Sequence, residues 1–342
     1  MMKMKRISPL PLLFLILCLA LAACSPASTP APEQSAPPTA PAEAAPTEPP
    51  APEPVETEPP AAPAGGLEFT DGLERSVTLP GPAQRIISLA PSNTEVLFAV
   101  GAGAQVVGAD EFSDYPEEAK ALTKVGGSFG EFNTETLVSL QPDLVLASEL
   151  NPPELVGVLE DLGLTVYYLK NPVELEGVYE NLRIVGELTG HQEEAEALAQ
   201  SLEQRVAAVV EKAAGVTERP KVFYELDASD PDAPYTAGPG TFMDSLIQMA
   251  GGQNVAGVLD TPWAQMSAEE LLVQNPDIIL LGDAAYGITP ESVAARPGWE
   301  NMEAVKNDQI HPFDDNLASR PGPRLVDALE ALVELLHPEL AG

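Results

Sequence analysis

Residues 133–146 and 267–280 are two versions of one segment. The first runs Asn-Thr-Glu-Thr-Leu-Val-Ser-Leu-Gln-Pro-Asp-Leu-Val-Leu, the second Ser-Ala-Glu-Glu-Leu-Leu-Val-Gln-Asn-Pro-Asp-Ile-Ile-Leu. Glu135 corresponds to Glu269, Leu137 to Leu271, and Pro142-Asp143 to Pro276-Asp277. Each opens on a helix-capping residue, breaks at Pro-Asp and ends in an apolar run suited to a buried strand. A weaker echo relates Ser92–Gly108 to Thr241–Gly257, where a helix ends near glycine and is followed by a valine and a second glycine. A chain that repeats one helix–turn–strand unit in this way is constrained to two lobes of related design.

His191–Gly215 lies between the two copies. Ala195, Leu198, Leu202, Val206 and Val209 recur mostly three or four apart, and no glycine or proline interrupts them. The spacing predicts one helix joining the lobes, roughly 36 Å long at 1.5 Å per residue. Strands are expected at Arg85–Leu89, Val106–Gly108, Leu144–Ala147, Val166–Leu169, Val222–Leu226, Ile278–Leu281 and Gln309–Pro312. A hairpin of 67–70 and 76–79 around Asp71-Gly72 precedes them. Strands alternating with helices make this an α/β protein with mainly parallel sheets. The expected plan is an N-terminal lobe at 67–190, the linking helix at 191–215 and a C-terminal lobe at 216–342.

The first residues carry Lys3, Lys5 and Arg6, then an apolar run from Leu10 to Ala22. The run is shorter than the roughly 20 residues of a membrane span and fits a secretory signal. It closes on Leu21-Ala22-Ala23-Cys24, which looks like a lipobox, so residues 1–23 are expected to be removed and Cys24 to be lipidated. Cys18 lies inside this signal, which leaves the mature domain without a thiol and excludes cysteine chemistry. Residues 24–66 form a Pro/Ala/Glu-rich tether, expected to be disordered. Fourteen of the 36 prolines fall in 25–66, where Lys and Arg are absent. A polyproline-like chain of that length reaches up to roughly 130 Å.

The whole chain has a formal net charge of −35, and the part beyond the tether holds 14 basic against 46 acidic residues. That balance argues against nucleic acid or anionic lipid as partners. Any membrane association is expected through the lipid anchor alone.

Taken together, these segments resemble a known family, the substrate-binding proteins of ABC importers for metal chelates: cobalamin, ferric siderophores and haem. The resemblance covers about residues 68–339. It is carried by Arg85-Ile-Ile-Ser-Leu-Ala-Pro-Ser-Asn-Thr-Glu95, Phe112-Ser-Asp-Tyr-Pro116, Lys124-Val-Gly-Gly127, the two Pro-Asp repeats, Ser319-Arg-Pro-Gly-Pro-Arg324 and Leu336-His-Pro-Glu339. The cobalamin-binding branch is the most similar. The resemblance implies a monomeric, non-enzymatic carrier without a cofactor of its own. It would capture a corrinoid or iron chelate between its lobes and deliver it to an ABC permease and its ATPase. It further implies ligand contacts at Phe112, Phe129, Tyr235, Trp263, Asn316 and Arg320, and permease docking through Glu135 and Glu269. One position where the family carries tryptophan is Ser148 here. Aromatic faces with a few polar groups suit a flat macrocycle. Glu135 and Glu269 each fall at the second position of a helix, where a carboxylate also favours the dipole. Glu95 with Ser92, and Glu270 with Ser267, fit capping boxes.

Other chemistries have weaker support. Gly126-Gly-Ser128-Phe-Gly130 matches the five-residue esterase elbow, but that elbow needs a buried strand directly before Ser128 and a helix directly after it. A free zinc or manganese site needs several gathered ligands, whereas His191, His311 and His337 are scattered. Asp227, Asp230 and Asp232 lack the glycine and terminal glutamate of a calcium loop. A surface adhesin would explain the tether but not the family segments.

Overall fold

A computed structural model describes residues 66–127 and 131–340. The lipobox with Cys24, the tether, and Ser128 and Phe129 lie outside the described residues.

The N-terminal lobe opens with an antiparallel hairpin, β1 (Leu67–Thr70) and β2 (Ser76–Leu79), in which Leu67 pairs with Leu79. Its turn is organised by the buried Asp71, whose carboxylate accepts from the amides of Leu73 (2.9 Å) and Arg75 (3.0 Å). Burial alone would raise the Asp71 pKa, but these bonds and the Arg75 guanidinium hold it below the usual carboxylate value. Gly72 donates to the Tyr168 carbonyl at 2.8 Å, and a Cβ there would sit 2.9 Å from the Lys170 side chain. Next come β3 (Ile86–Ser88), β4 (Val106–Ala109), β5 (Thr123–Lys124), β6 (Leu144–Ser148) and β7 (Val166–Leu169). They form one parallel sheet in the order β5-β4-β3-β6-β7. Helices α1 (Pro91–Ala99), α2 (Thr134–Ser139), α3 (Glu154–Asp161) and α4 (Leu175–Thr189) connect and cover it.

Helix α5 (Gln192–Ala213) then leads to the C-terminal lobe. There β8 (Lys221–Glu225), β10 (Gln253–Asn254), β12 (Ile278–Leu281) and β13 (Ile310–Pro312) form a second parallel sheet in the order β10-β8-β12-β13. A separate antiparallel ribbon joins β9 (Tyr235–Ala237) to β11 (Trp263–Gln265). Helices α6 (Phe242–Met249), α7 (Ala268–Gln274), α8 (Pro290–Ala294), α9 (Glu303–Lys306), α10 (Asp315–Ala318) and α11 (Leu325–Leu336) complete it. The α/β class with parallel sheets is borne out. The ribbon was not foreseen, because three-residue strands beside prolines carry no alternation long enough to register.

The repeat has one physical job in both lobes. Asn133 Oδ1 caps α2 through the Thr136 amide at 3.0 Å, and Ser267 Oγ caps α7 through the Glu270 amide at 3.2 Å. After each helix the residue before proline turns left-handed, Gln141 at φ 48° and Asn275 at φ 51°. The aspartate carboxylates then tie down the neighbouring strand. Asp143 accepts from the Gln84 and Arg85 amides at 2.8 and 2.9 Å, and Asp277 accepts from the Lys221 amide at 2.8 Å. Arg85 and Lys221 return the favour by donating to the helix-end carbonyls of Gln141 and Gln274, both at 3.0 Å. Apolar runs then continue into strands buried on both faces, as parallel sheets require.

One expected capping box is corrected. Helix α1 starts after Ala90 with Pro91 in its first turn and has no side-chain cap. Ser92 is buried inside the first turn, so it does not cap, and Glu95 turns instead to two arginines from the C-terminal lobe. At Ser267 half of the box forms, while Glu270 Oε1 accepts from Gln274 Nε2 at 2.8 Å.

Helix α5 buries Ala195, Ala199, Leu202, Val209 and Ala213. It packs on α4 and on α11, and one buried apolar cluster runs from Ile86 and Leu144 through α5 to Val222, Leu280 and Leu329. Gly186 allows the α4–α5 approach, since a Cβ there would come within 2.5 Å of the Ala195 Cβ. Forks of charge flank this seam: Arg183 to Glu196 (2.7 Å) and Glu203 (3.0 Å), and Arg205 to Asp327 (2.6 Å) and Glu330 (2.7 Å). They are partly exposed, so solvent screening keeps the contribution of each pair small. Because the core is continuous, Leu202→Ala should cost about 2–5 kcal/mol and shift a single unfolding transition as a whole. Denaturant unfolding followed by circular dichroism checks this; two separate transitions would mean that the lobes unfold independently.

Candidate functional site

In open parallel sheets, ligands bind beyond the carboxyl ends of the strands. In the N-terminal lobe those ends lead to Phe112 after β4 and Gly126-Gly127 after β5. In the C-terminal lobe they lead to Glu225, Asp283 and Asn316 after β8, β12 and β13.

Phe112 is 50% exposed, and its amide donates to Asp110 Oδ1 at 2.8 Å. The ring lies beside Gly127, where an added Cβ would be 3.8 Å from Phe112 Cε2. Gly126 has φ +122°, and a Cβ on it would come within 2.4 Å of the Glu131 carbonyl oxygen, so this loop requires glycine. Among the described residues β5 ends at Lys124 and α2 begins at Thr134, so neither directly adjoins Ser128 as an esterase elbow requires.

Tyr235 and Trp263 both lie on the ribbon. Trp263 pairs with Ala237 and Gln265 with Tyr235, which puts both rings on one face, diagonally across the two strands. They are 43% and 48% exposed. Gly238 extends the ribbon by donating to the Pro262 carbonyl at 2.7 Å, and a Cβ there would come within 2.6 Å of the Thr261 carbonyl oxygen. Asn316 is half-buried in α10, with its amide and Nδ2 both on Asp314 Oδ1 at 3.0 and 3.1 Å. Ser148, where the family carries tryptophan, is buried, and its amide donates to Asn151 Oδ1 at 2.9 Å.

Arg320 reaches across to the other lobe. Its Nη1 donates to Glu95 Oε1 (3.1 Å) and Asp114 Oδ1 (2.6 Å), and its Nη2 to the Phe112 carbonyl at 3.4 Å. Burial works against its charge, but the two carboxylates outweigh that and raise its pKa. Thus Phe112 is brought to Arg320 from the opposite lobe, while Tyr235 and Trp263 stand on one face of the separate ribbon. Sequence reasoning missed Asp114 and Tyr115 on the Phe112 loop and the partnership of Glu95 with Arg324. The paired arginines of Ser319–Arg324 were the available signal.

The floor of the C-terminal lobe carries a buried charge cluster. Arg296 Nη2 donates to Glu225 Oε1 at 2.8 Å, and its guanidinium lies 4.5 Å from the Trp299 ring centroid. Beside it Asp283 is buried; Oδ2 accepts from the Ala228 amide at 3.1 Å, and Oδ1 has no hydrogen-bond partner. Burial, with the nearby Glu225 carboxylate second, pushes Asp283 up to about 6. Among the described residues no group of three His, Cys, Asp or Glu side chains gathers as a metal set. His191 stands at the start of α5, His337 ends α11, and His311 on β13 contacts Gln309 Oε1 at 3.2 Å.

Glu135 and Glu269 sit at the second positions of α2 and α7. Both are exposed, and neither forms an ion pair among the described residues. A groove of about 620 Å³ lies along α5, between Phe98, Tyr115, Leu198 and Pro323, and includes none of the five expected ligand residues that are described.

Asp283 sets a pH signature. A carboxyl whose pKa is raised on folding stabilises fully below its unfolded value near 3.8, and that contribution is lost as pH rises through about 6. Asp283→Asn, which keeps the neutral shape, should match the parent at pH 4 and exceed it by about 1–3 kcal/mol at pH 7.5. Denaturation midpoints across that range check it; a difference independent of pH would exclude Asp283 as the titrating group.

Residues 86–317 match the model of a family described as periplasmic binding protein. The Bacillus subtilis (strain 168) protein YvrC, described as an uncharacterized ABC transporter substrate-binding lipoprotein, is 35% identical over 278 residues, 80% of this chain and 86% of its own. Two solved structures share the fold. The periplasmic vitamin B12 binding protein BtuF of Vibrio cholerae is 30% identical, with a TM-score of 0.64 over 75% of this chain and 97% of its own. The periplasmic heme-binding protein RhuT from Roseiflexus sp. RS-1 is 29% identical, with a TM-score of 0.68 over 75% of this chain and 99% of its own.

Proposed function

This chain belongs to the periplasmic binding protein family, as an extracytoplasmic substrate-binding protein of an ABC importer, and we propose that the chelate it carries is a corrinoid. It is not an enzyme; it works with a permease and its ATPase. The observation that carries the corrinoid reading is the state of the cleft arginines. Arg320 is engaged by Glu95 and Asp114, and Arg296 by Glu225, while Phe112, Tyr235 and Trp263 keep exposed faces. A ligand with anionic carboxylates, such as haem, would find these cations already neutralised. A corrinoid offers a flat apolar body for the rings and an amide rim for hydrogen bonds. In this proposal Phe112, Phe129, Tyr235 and Trp263 contact the macrocycle, and Asn316 and Arg320 the rim. The metal chelate is cargo, not a cofactor. A haem or ferric-siderophore cargo is the second reading, supported by the likeness to RhuT.

The anchor is part of the same proposal. Cys24 is lipidated, residues 24–66 tether a monomeric carrier to the outer face of the cytoplasmic membrane, and Glu135 and Glu269 pair with arginines on the permease. The lipoprotein description of YvrC supports the anchor, and the placement of one exposed glutamate on each repeat supports the docking pair.

Cyanocobalamin, haemin and a ferric siderophore can be titrated into the purified protein and read by thermal stabilisation. Cyanocobalamin at 100 times its Kd should stabilise by about 2.7 kcal/mol. Stabilisation by haemin or the siderophore alone would sink the corrinoid assignment. Trp263→Ala should weaken binding about tenfold or more, near 1.4 kcal/mol; unchanged affinity would remove Trp263 from the site. Glu135→Lys combined with Glu269→Lys should stop uptake by cells and leave ligand affinity intact. Undiminished uptake would refute the docking role.

A further inference from the structure

Glu95 projects from α1 of the N-terminal lobe and is 2% exposed. Its carboxylate is held by two arginines from a segment of the opposite lobe. Arg324 Nε donates to Oε2 at 2.8 Å and its Nη2 to Oε1, a bidentate fork, while Arg320 Nη1 donates to Oε1 at 3.1 Å. Both guanidinium side chains are only 13% exposed. Each arginine has a second contact, and both second contacts fall on one loop. Arg320 binds Asp114 Oδ1 and the Phe112 carbonyl, and Arg324 lies 4.1 Å from the centroid of the Tyr115 ring. The other side of that loop is tied to its own lobe, where Ser113 Oγ meets Thr94 Oγ1 at 2.7 Å. Gly322, midway between the arginines, passes close to Glu95, with an added Cβ 3.8 Å from Oε2.

We propose that Glu95 is a positioning residue for chelate capture: by fixing Arg320 and Arg324 it holds the Phe112–Tyr115 loop in place at the cleft. Glu95 itself does not touch the ligand. Without its charge, two nearly buried guanidinium groups would lie close together, with Asp114 hydrogen-bonded to Arg320 and Asp314 acting on Arg324 only through space. One or both would swing toward solvent and release the loop. The effect on affinity rests on the assignment of Phe112 as a ligand contact; the effect on the loop does not.

The test is hydrogen–deuterium exchange on the full chain. In Glu95→Gln, peptides spanning 110–116 should exchange at least about tenfold faster while peptides of α4 stay unchanged. Asp114→Asn alters an exposed side chain, endangers the fold less, and should raise exchange in the same peptides by a smaller factor. The Kd for cyanocobalamin should rise about tenfold in Glu95→Gln, with kinetics showing faster release. Unchanged loop exchange in both variants overturns the proposal. So does faster exchange across the whole N-terminal lobe, which would make Glu95 a general stabiliser. Faster loop exchange with an unchanged Kd removes its role in capture. If the unaltered protein binds no cyanocobalamin, the corrinoid assignment fails, and the exchange measurement still decides the positioning.

Discussion

Helix α5 presents a stripe of small and branched residues, Ala195, Ala199, Leu202, Val209 and Ala213, and both lobes close on it. The contact is tight because Gly186 on α4 leaves room for Ala195. Everything at the cleft depends on this seam. Two sheets whose cores merge through one helix cannot swing apart without opening apolar surface to water, which costs roughly 25 cal/mol per Å². The apolar seam therefore resists separation of the two sheets.

The parts of the fold that were legible in the sequence are the parts made by local physics. Pro-Asp recurs because the same junction must be built twice: a helix ends in a left-handed residue, and a carboxylate clamps the start of the neighbouring strand. Asp143 and Asp277 do this with near-identical geometry, each answered by a basic residue, Arg85 or Lys221. Apolar strands and the α5 stripe follow the same logic, since periodicity reports burial directly.

What was not legible is non-local. Glu95 looked like the third residue after a capping serine, and that spacing alone suggests a box. Its partners lie 225 and 229 residues further along, and nothing in the local sequence marks them. The Tyr235–Trp263 pair is similarly hidden, because the two strands that align the rings are three residues each and separated by α6. Arg320 shows the difficulty most clearly. An arginine directly before Pro321 reads as a ligand contact, whereas the structure shows it bridging two carboxylates and a carbonyl.

That bridging bears on how so acidic a protein would present a cleft to the proposed corrinoid. With a net charge of −35, an unpaired arginine near the cleft would be a local exception that attracts small anions from solution. Pairing Arg320 and Arg324 with Glu95, and Arg296 with Glu225, removes those exceptions while keeping the arginines as rigid struts. The excess negative charge is left to the exterior, including the exposed Glu135 and Glu269. Charge at the exterior acts over about 8–10 Å at physiological salt, the range over which a carrier steers toward a basic partner. Charge inside the cleft would act instead on the cargo. The same side-chain chemistry thus occurs in two settings that burial separates: Glu95 and Glu225 are buried and paired with arginine, whereas Glu135 and Glu269 are exposed and form no ion pair among the described residues.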